Sequence, residues 1–436
     1  MAAPMSIDAE LYPVRGARVR RAVQSARAEL LDAKHAPFDQ ADRQSRPSAQ
    51  SKATAQRYRA QLVSDRDSIL ALETDWQALT IRSSGSVAFQ AFDLCLPWLD
   101  AYAFGSDPTH HAHILAIYDA DELVGLVPLA VRRDGPVALA EWVGDPLIQY
   151  GDVLLDADCD AKAVRACLAE ALKQWPLAGL LLRNVRADAR VHQLLDLPGH
   201  TLGETRQAAI ADLTGFGSAE DYFATFSKRS RQNRRKKRNA LAKRGELSFE
   251  VVEAGPQAAE LCDLALDWKL AWLAARGLSS RAFMDARALK TLKASIARSS
   301  VANPMTLFVQ KVDGKPAAIE IGLTGSHGNI AFMGTYDPAY EALSAGKVQM
   351  ESSILHGFEA GWAGYDMLAP MTGYKESWST MTVDVVDYLV ASSPAAWIYR
   401  EGFLKIMRPT MKCIWLALPA SLRSTLLRSG GGLAVL

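Results

Sequence analysis

From Tyr58 onward, apolar residues alternate between period-two runs and period-3.6 runs, the signature of strands interleaved with helices. The first stretch predicts a helix near Asp65 to Leu79, then strands at His113 to Tyr118 and Val124 to Arg132 around a turn at Asp119 to Leu123. Strands at Val137 to Val143 and Gly151 to Leu155, a helix from Lys162 to Gln174 and a buried strand Gly179 to Val185 follow. The second stretch predicts strands Met305 to Lys311 and Pro316 to Thr324 about the turn Val312-Asp313-Gly314-Lys315. A second turn, Ser326 to Asn329, leads into a strand from Ile330 to Tyr336. Ser344-Ala345-Gly346, a helix from Lys347 to Ala360 and a short strand at Tyr365 to Leu368 complete it. Hairpin, strand, helix, strand thus occurs twice, offset by about 190 residues, which predicts a duplicated mixed α/β unit rather than a solenoid.

Residues 1 to 57 break the pattern: they are rich in Ala, Arg, Ser and Gln, with one predicted helix at Val19 to Ala33, and read as a flexible tail and linker. The expected organisation is this tail, a first α/β unit over 58 to 213, a second over 214 to 395, and a basic amphipathic extension over 396 to 436. No apolar run approaches the roughly 18 residues of a membrane span, and Met1 to Arg20 has no signal-like apolar stretch, so a cytoplasmic location is expected. Forty-nine basic side chains against forty-eight acidic ones leave no global field to attract a polyanion. Five cysteines at wide spacing suit neither a disulfide framework nor a zinc site. His110, His111 and His113 lack a partner motif at ligand spacing, so no metal is expected.

Charge is concentrated in one place. Lys228 to Arg244 holds ten cations and no acid, while the remainder of the chain sums to −9. Without acidic partners at i, i+4 the cations repel one another, which favours an anion-binding surface over a solvated helix face. Stacking aromatics are missing within the run, which argues against nucleic acid and for a phosphate-bearing or acidic acceptor, with Arg231, Arg234, Arg235 and Arg238 as contacts. Ser344-Ala345-Gly346-Lys347-Val348 opens a helix, whose first backbone N–H groups and dipole suit a phosphate. The loop is not a Walker motif, because Glu341 stands five before Gly346 and Val348 follows Lys347. Glu320, inside an apolar strand, has two competing readings: an outward position between two inward Ile residues, or a cleft carboxylate serving as general base. Tyr374, Lys375 and Trp378 fit either a proton donor, a cation and a cleft wall, or a loop that closes a core. The cations Lys405, Arg408, Lys412, Arg423 and Arg428, interleaved with Phe403, Ile406, Ile414 and Trp415, fit either an interfacial helix or one docked on the second unit.

The ordered set formed by Phe226-Ser227-Lys228-Arg229-Ser230-Arg231, Asp313-Gly314-Lys315-Pro316, Tyr336-Asp337, Ser344-Ala345-Gly346 and Gly373-Tyr374-Lys375-Glu376-Ser377-Trp378 resembles the CelD/BcsL-type GNAT acetyltransferases. The resemblance covers roughly Thr74 to Ser379. It implies two tandem GNAT-like domains, an arrangement shared with the FemABX aminoacyl transferases, which use aminoacyl-tRNA. It further implies an acyltransferase that takes acetyl-CoA or another acyl-CoA as co-substrate, without a permanent cofactor, and delivers the acyl group to an amine or hydroxyl of an anionic or polysaccharide-precursor acceptor. A role in cellulose, exopolysaccharide or cell-envelope biosynthesis would place it peripherally at the inner membrane. Residues Ser344, Ala345, Gly346, Lys347 and Val348 would hold the CoA pyrophosphate, with Tyr374 and Lys375 at the acyl centre and Glu320 as base. Glu320 departs from the plain apolar strand expected of the family. A non-catalytic double domain that binds an anionic polymer is the remaining alternative.

Overall fold

The computed structural model describes residues 57–418 apart from 84–86, 135–136, 277, 279 and 326, so the expected tail and its Val19 to Ala33 helix lie outside the described residues. Among the described residues thirteen strands make one sheet: β1 (Tyr58–Val63), β2 (His110–Asp119), β3 (Glu122–Asp134), β4 (Val137–Trp142), β5 (Leu154–Leu155), β6 (Gly179–Arg186), β7 (Thr201–Asp212), β8 (Leu247–Glu253), β9 (Met305–Val312), β10 (Lys315–Gly325), β11 (Gly328–Tyr336), β12 (Gly364–Asp366) and β13 (Met381–Ala391). Their order is β1-β2-β3-β4-β6-β13-β7-β12-β11-β10-β9-β8, with β5 on β3. The long helices are α1 (Glu73–Arg82), α2 (Phe92–Tyr102), α3 (Ala161–Gln174), α4 (Lys228–Ala242), α5 (Pro256–Ala275), α6 (Ala286–Ala297) and α7 (Ala345–Glu359).

The duplicated order is real in space. Each half carries an antiparallel meander, then a strand that pairs in parallel with the next strand after a crossover helix: β4 with β6 across α3, and β11 with β12 across α7. The halves share the sheet rather than abutting. The last strand, β13, pairs with β6 of the first half on one side and with β7 on the other, and β7 pairs in turn with β12. Strand β7 precedes the boundary expected at Leu213, yet it lies between two strands of the second half. Ion pairs also tie the halves together. Arg298, following α6, donates from Nε to Asp93 Oδ1 at 2.7 Å and from Nη2 to Glu73 Oε1 at 2.6 Å, and Arg281 pairs with Asp145 at 2.7 Å.

Strands β10 to β12 depart from regular pairing in two places. The parallel pair β11 and β12 is in register only over Gly328↔Gly364, Asn329↔Tyr365 and Ile330↔Asp366, after which the strands part. Between β10 and β11 the register shifts at Ile321/Gly322, leaving Phe332 as an extra residue on β11. Gly322 is required here: a Cβ at this position would lie 2.1 Å from Asn329 Oδ1, so only glycine lets the Asn329 amide rest over β10.

The extension begins with a helix at Pro394–Ile398, continues as a π-helical stretch Tyr399–Met407 and ends in a helix Arg408–Ala417. Leu404, Tyr399 and Phe403 pack on Leu139, Leu181 and Leu389 of the sheet, so this segment docks on β4, β6 and β13 rather than on the second half alone. No helix among the described residues is long and apolar enough to cross a membrane.

Candidate functional site

Helix α4 begins at Ser227, whose side chain accepts from Ser230 N, and buries Leu241 in a cluster with Val312, Ala317, Ala345 and Val348. Ser230, Arg234, Lys237 and Leu241, spaced by three or four residues, form its inward stripe, while Arg231, Arg235 and Arg238 are exposed on the outer faces. The ten cations from Lys228 to Arg244 make no ion pair among the described residues. The expected quartet of contacts therefore separates. Arg234 enters a cleft, the other three face solvent, and Lys237, from outside that quartet, joins Arg234.

The cleft has a volume of about 140 Å³ and lies between α4, the start of α7 and the 373–378 loop, lined by Arg234, Lys237, Lys347, Glu351, Tyr374 and Trp378 among others. The Arg234 guanidinium sits in the corner of two nearly perpendicular rings, its carbon 3.4 Å from the Trp378 centroid and 3.7 Å from that of Phe226. Its Nη2 donates to Ser377 O at 3.0 Å, and its buried Nη1 makes no hydrogen bond. Burial drives the Arg234 pKa down to about 10. Lys237 is likewise lowered, by burial and by the ammonium of Lys347 beside it. Glu351 is raised, chiefly by burial. Three cations against one carboxylate, with an open guanidinium N–H in a partly dry site, make a cradle for an anion with more than one charge.

The start of α7 reaches the cleft through Lys347 and Val348. Ser344 adopts a left-handed conformation (φ 60°, ψ 41°) and its carbonyl accepts from Lys347 N and Val348 N, so the amides of Ala345 and Gly346 are the ones left at the helix start. Ala345 and Val348 turn their side chains into the core. A Cβ on Gly346 would lie 3.3 Å from the ring of Tyr336.

Glu320 is fully buried, which removes the outward reading: Ile319 and Ile321 pack on the face toward α5 and α6, and Glu320 faces α7. Its carboxylate accepts from Asn329 Nδ2 at 2.9 Å, Gln349 Nε2 at 3.0 Å and Tyr365 OH at 2.5 Å. Burial outweighs these three donors and lifts its pKa to about 7. Glu320 does not line the cleft. Tyr374 does, whereas Lys375 is buried and donates from Nζ to the carbonyls of Leu368 and Pro370, each at 3.1 Å, so it clamps the loop instead of entering the cleft. The structure thus brings Arg234, Lys237, Lys347, Val348, Tyr374 and Trp378 together, and leaves Ser344, Ala345, Gly346, Glu320, Arg231, Arg235, Arg238 and Lys375 outside the cleft lining.

Residues 228–376, which supply all of the cleft lining but Ser377 and Trp378, match the family model described as an acetyltransferase (GNAT) domain. No curated protein matches the chain. Among solved structures, FemX aligns at 11% identity with a TM-score of 0.51, over 73% of this chain and 94% of FemX. A conserved protein of unknown function from Bacteroides thetaiotaomicron aligns at 13% identity and a TM-score of 0.49, over 76% of this chain and 99% of that one. A tandem GNAT protein from the clavulanic acid biosynthesis pathway aligns at 12% identity and a TM-score of 0.40, over 77% and 99%. At 11% identity the FemX likeness is one of fold. This chain is a mixed α/β protein whose second half contains a segment similar to the GNAT acetyltransferase domain.

Proposed function

We propose that the protein transfers an acetyl or other acyl group from acyl-CoA to an amine or hydroxyl acceptor. The observation that supports this reading is the convergence of Arg234, Lys237 and Lys347 in one cleft at the start of α7, the helix whose first amides, Ala345 and Gly346, are left without an intrahelical partner, a set suited to the diphosphate of CoA. The parting of β11 and β12 after Ile330 and Asp366 offers the thioester a path between the strands. The acceptor attacks the carbonyl carbon as the C–S bond breaks, held in line by the site. A backbone N–H in the parted region stabilises the oxyanion. The acceptor's proton passes to Glu320 by way of the Tyr365 hydroxyl, and Tyr374 protonates the departing thiolate. Lys375 contributes by fixing the loop that carries Tyr374.

Calorimetric titration with acetyl-CoA tests this directly. Micromolar binding that weakens at least tenfold in Arg234→Gln supports the reading; absence of CoA binding together with binding of aminoacyl-tRNA replaces the donor with a FemABX-type one. The finer reading, an acceptor in cellulose, exopolysaccharide or envelope biosynthesis, rests on the CelD/BcsL resemblance. Peripheral contact with the inner membrane is supported by the exposed Trp397, Ile398, Ile406, Met407 and Ile414 of the extension, in a segment with no acid after Glu401.

A further inference from the structure

A cavity of about 510 Å³, the size of a small-molecule site, opens at the end of the sheet remote from the cationic cleft. Its walls come from both halves: α1 and Arg186 of the first, and the ends of β7, β10, β11 and β12. Strand β11 links the two places, running about 26 Å from Gly328 in the cavity wall to Tyr336 beside Gly346. The last parallel pair, Ile330 and Asp366, lines the cavity, so the gap between β11 and β12 begins at its wall. No residue that lines the cationic cleft lines this one.

The chemistry of the walls is the reverse of the cleft's. Three carboxylates, Asp188, Asp212 and Asp366, face one guanidinium and one imidazole. The guanidinium is already engaged: Arg186 donates to Asp188 from Nε and Nη2, both at 2.8 Å, and to Asp366 Oδ2 from Nη1 at 2.6 Å. Hydrogen-bond acceptors are what remains. Asn329, 1% exposed, spends Nδ2 on Glu320, which fixes its amide and leaves Oδ1 buried without a partner. Thr324 Oγ1 is buried without a partner as well. Asp212 accepts from Thr214 through Oδ1 alone, leaving Oδ2 without a hydrogen bond among the described residues.

The geometry points to a second ligand site that takes a small polyhydroxylated molecule bearing a primary ammonium, and this ligand is the acyl acceptor. The excess negative charge and the unpaired Asp212 Oδ2 select a donor-rich cation, and the hydroxyl-bearing walls of Thr80, Ser83 and Thr324 suit its hydroxyls. Its role as acceptor rests on the proposed acyl-CoA activity. After an ammonium proton leaves to solvent, the neutral amine at the cavity wall attacks the thioester carbonyl; the C–N bond forms, C–S breaks, and the second proton takes the route through Tyr365 to Glu320.

The test is calorimetry on the full-length protein without CoA, using 2-amino-2-deoxyglucose as probe against glucose and N-acetylglucosamine. The amino sugar is expected to bind at least tenfold more tightly than either neutral sugar. Asp212→Asn keeps an oxygen for Thr214 while removing the charge, and Thr324→Val removes one hydroxyl at nearly constant volume. Each should weaken the amino sugar about tenfold while leaving the unfolding temperature and the affinity for CoA unchanged. An amino sugar that binds no more tightly than glucose, or equal affinity in wild type and both variants, overturns the site. Amine binding in a wild-type protein that ignores CoA would instead sink the donor assignment and leave the amine site standing.

Discussion

Replacing Glu320 with Gln should change how stability depends on pH, and the structure fixes the sign. The carboxyl is fully buried, and burial lifts its pKa from 4.5 to about 7. Between those values the folded protein holds a proton at Glu320 that the unfolded chain has released, so the unfolded state binds fewer protons and stability falls as pH rises. Above pH 7 both states are ionised and the loss is complete. At about 1.4 kcal/mol per decade, the interval corresponds to roughly 3 kcal/mol. Gln removes the titration and can be accommodated, because its oxygen can keep the bond from Asn329 Nδ2 while its amide nitrogen donates to the Tyr365 hydroxyl, which can accept as well as donate. Asp152, also buried and raised to about 6, titrates in the same direction, so wild-type data alone do not isolate Glu320. The difference between the two proteins does. Urea unfolding of wild type and Glu320→Gln at intervals from pH 4.5 to 8 should show the variant gaining on wild type by about 3 kcal/mol across the range, with the steepest change near pH 6. Parallel curves over that range would refute the account, since a Glu320 carboxylate already ionised at pH 5 cannot produce the divergence.

The cationic cleft and the ion pairs between the halves can be tested in the same way. Arg234→Gln should weaken CoA binding tenfold or more, whereas Arg235→Gln and Arg231→Gln, on the exposed faces of α4, should change it less than twofold, all read by titration calorimetry at fixed salt. Gly346→Asp should abolish CoA binding by placing a carboxylate at the open amides; Gly346→Ala, which carries the same 3.3 Å contact with Tyr336 but no charge, separates repulsion from crowding, and equal losses in both would remove the electrostatic explanation. Arg298→Ala should lower stability by about 3 kcal/mol at neutral pH, because it strands the buried Asp93 carboxylate between the halves, and Asp93→Asn added to Arg298→Ala should recover much of that loss in denaturant unfolding.

How much of this was legible in the sequence depended on whether a residue's neighbours were close in the chain. The crossover helices and the β9 to β11 meander were readable because period and turn chemistry are local: Asp313-Gly314 sits in the β9–β10 turn with positive φ at both residues. Strand β7 was missed because residues 201–207 are mostly exposed and lack alternation, and only its last residues enter the core. Helix α5 was missed because Trp268, Trp272 and Leu273 spread apolar surface over more than one face, which blurs the 3.6 period. In the site, the i, i+3, i+4 spacing of Ser230, Arg234, Lys237 and Leu241 did contain the signal for an inward stripe, since Leu241 marks the core side of α4, but ten equivalent cations concealed it. Glu320 carried no such signal: an isolated acid in an apolar strand reads as solvent-facing until Asn329, Gln349 and Tyr365 are known to converge on it from β11, α7 and β12. Asn329 shows why such long-range convergence carries function. Its amide is held over Gly322 with Nδ2 on Glu320, and the residue itself stands in the wall of the interdomain cavity, so a single residue lies between the group proposed to take the proton and the space proposed to hold the acceptor.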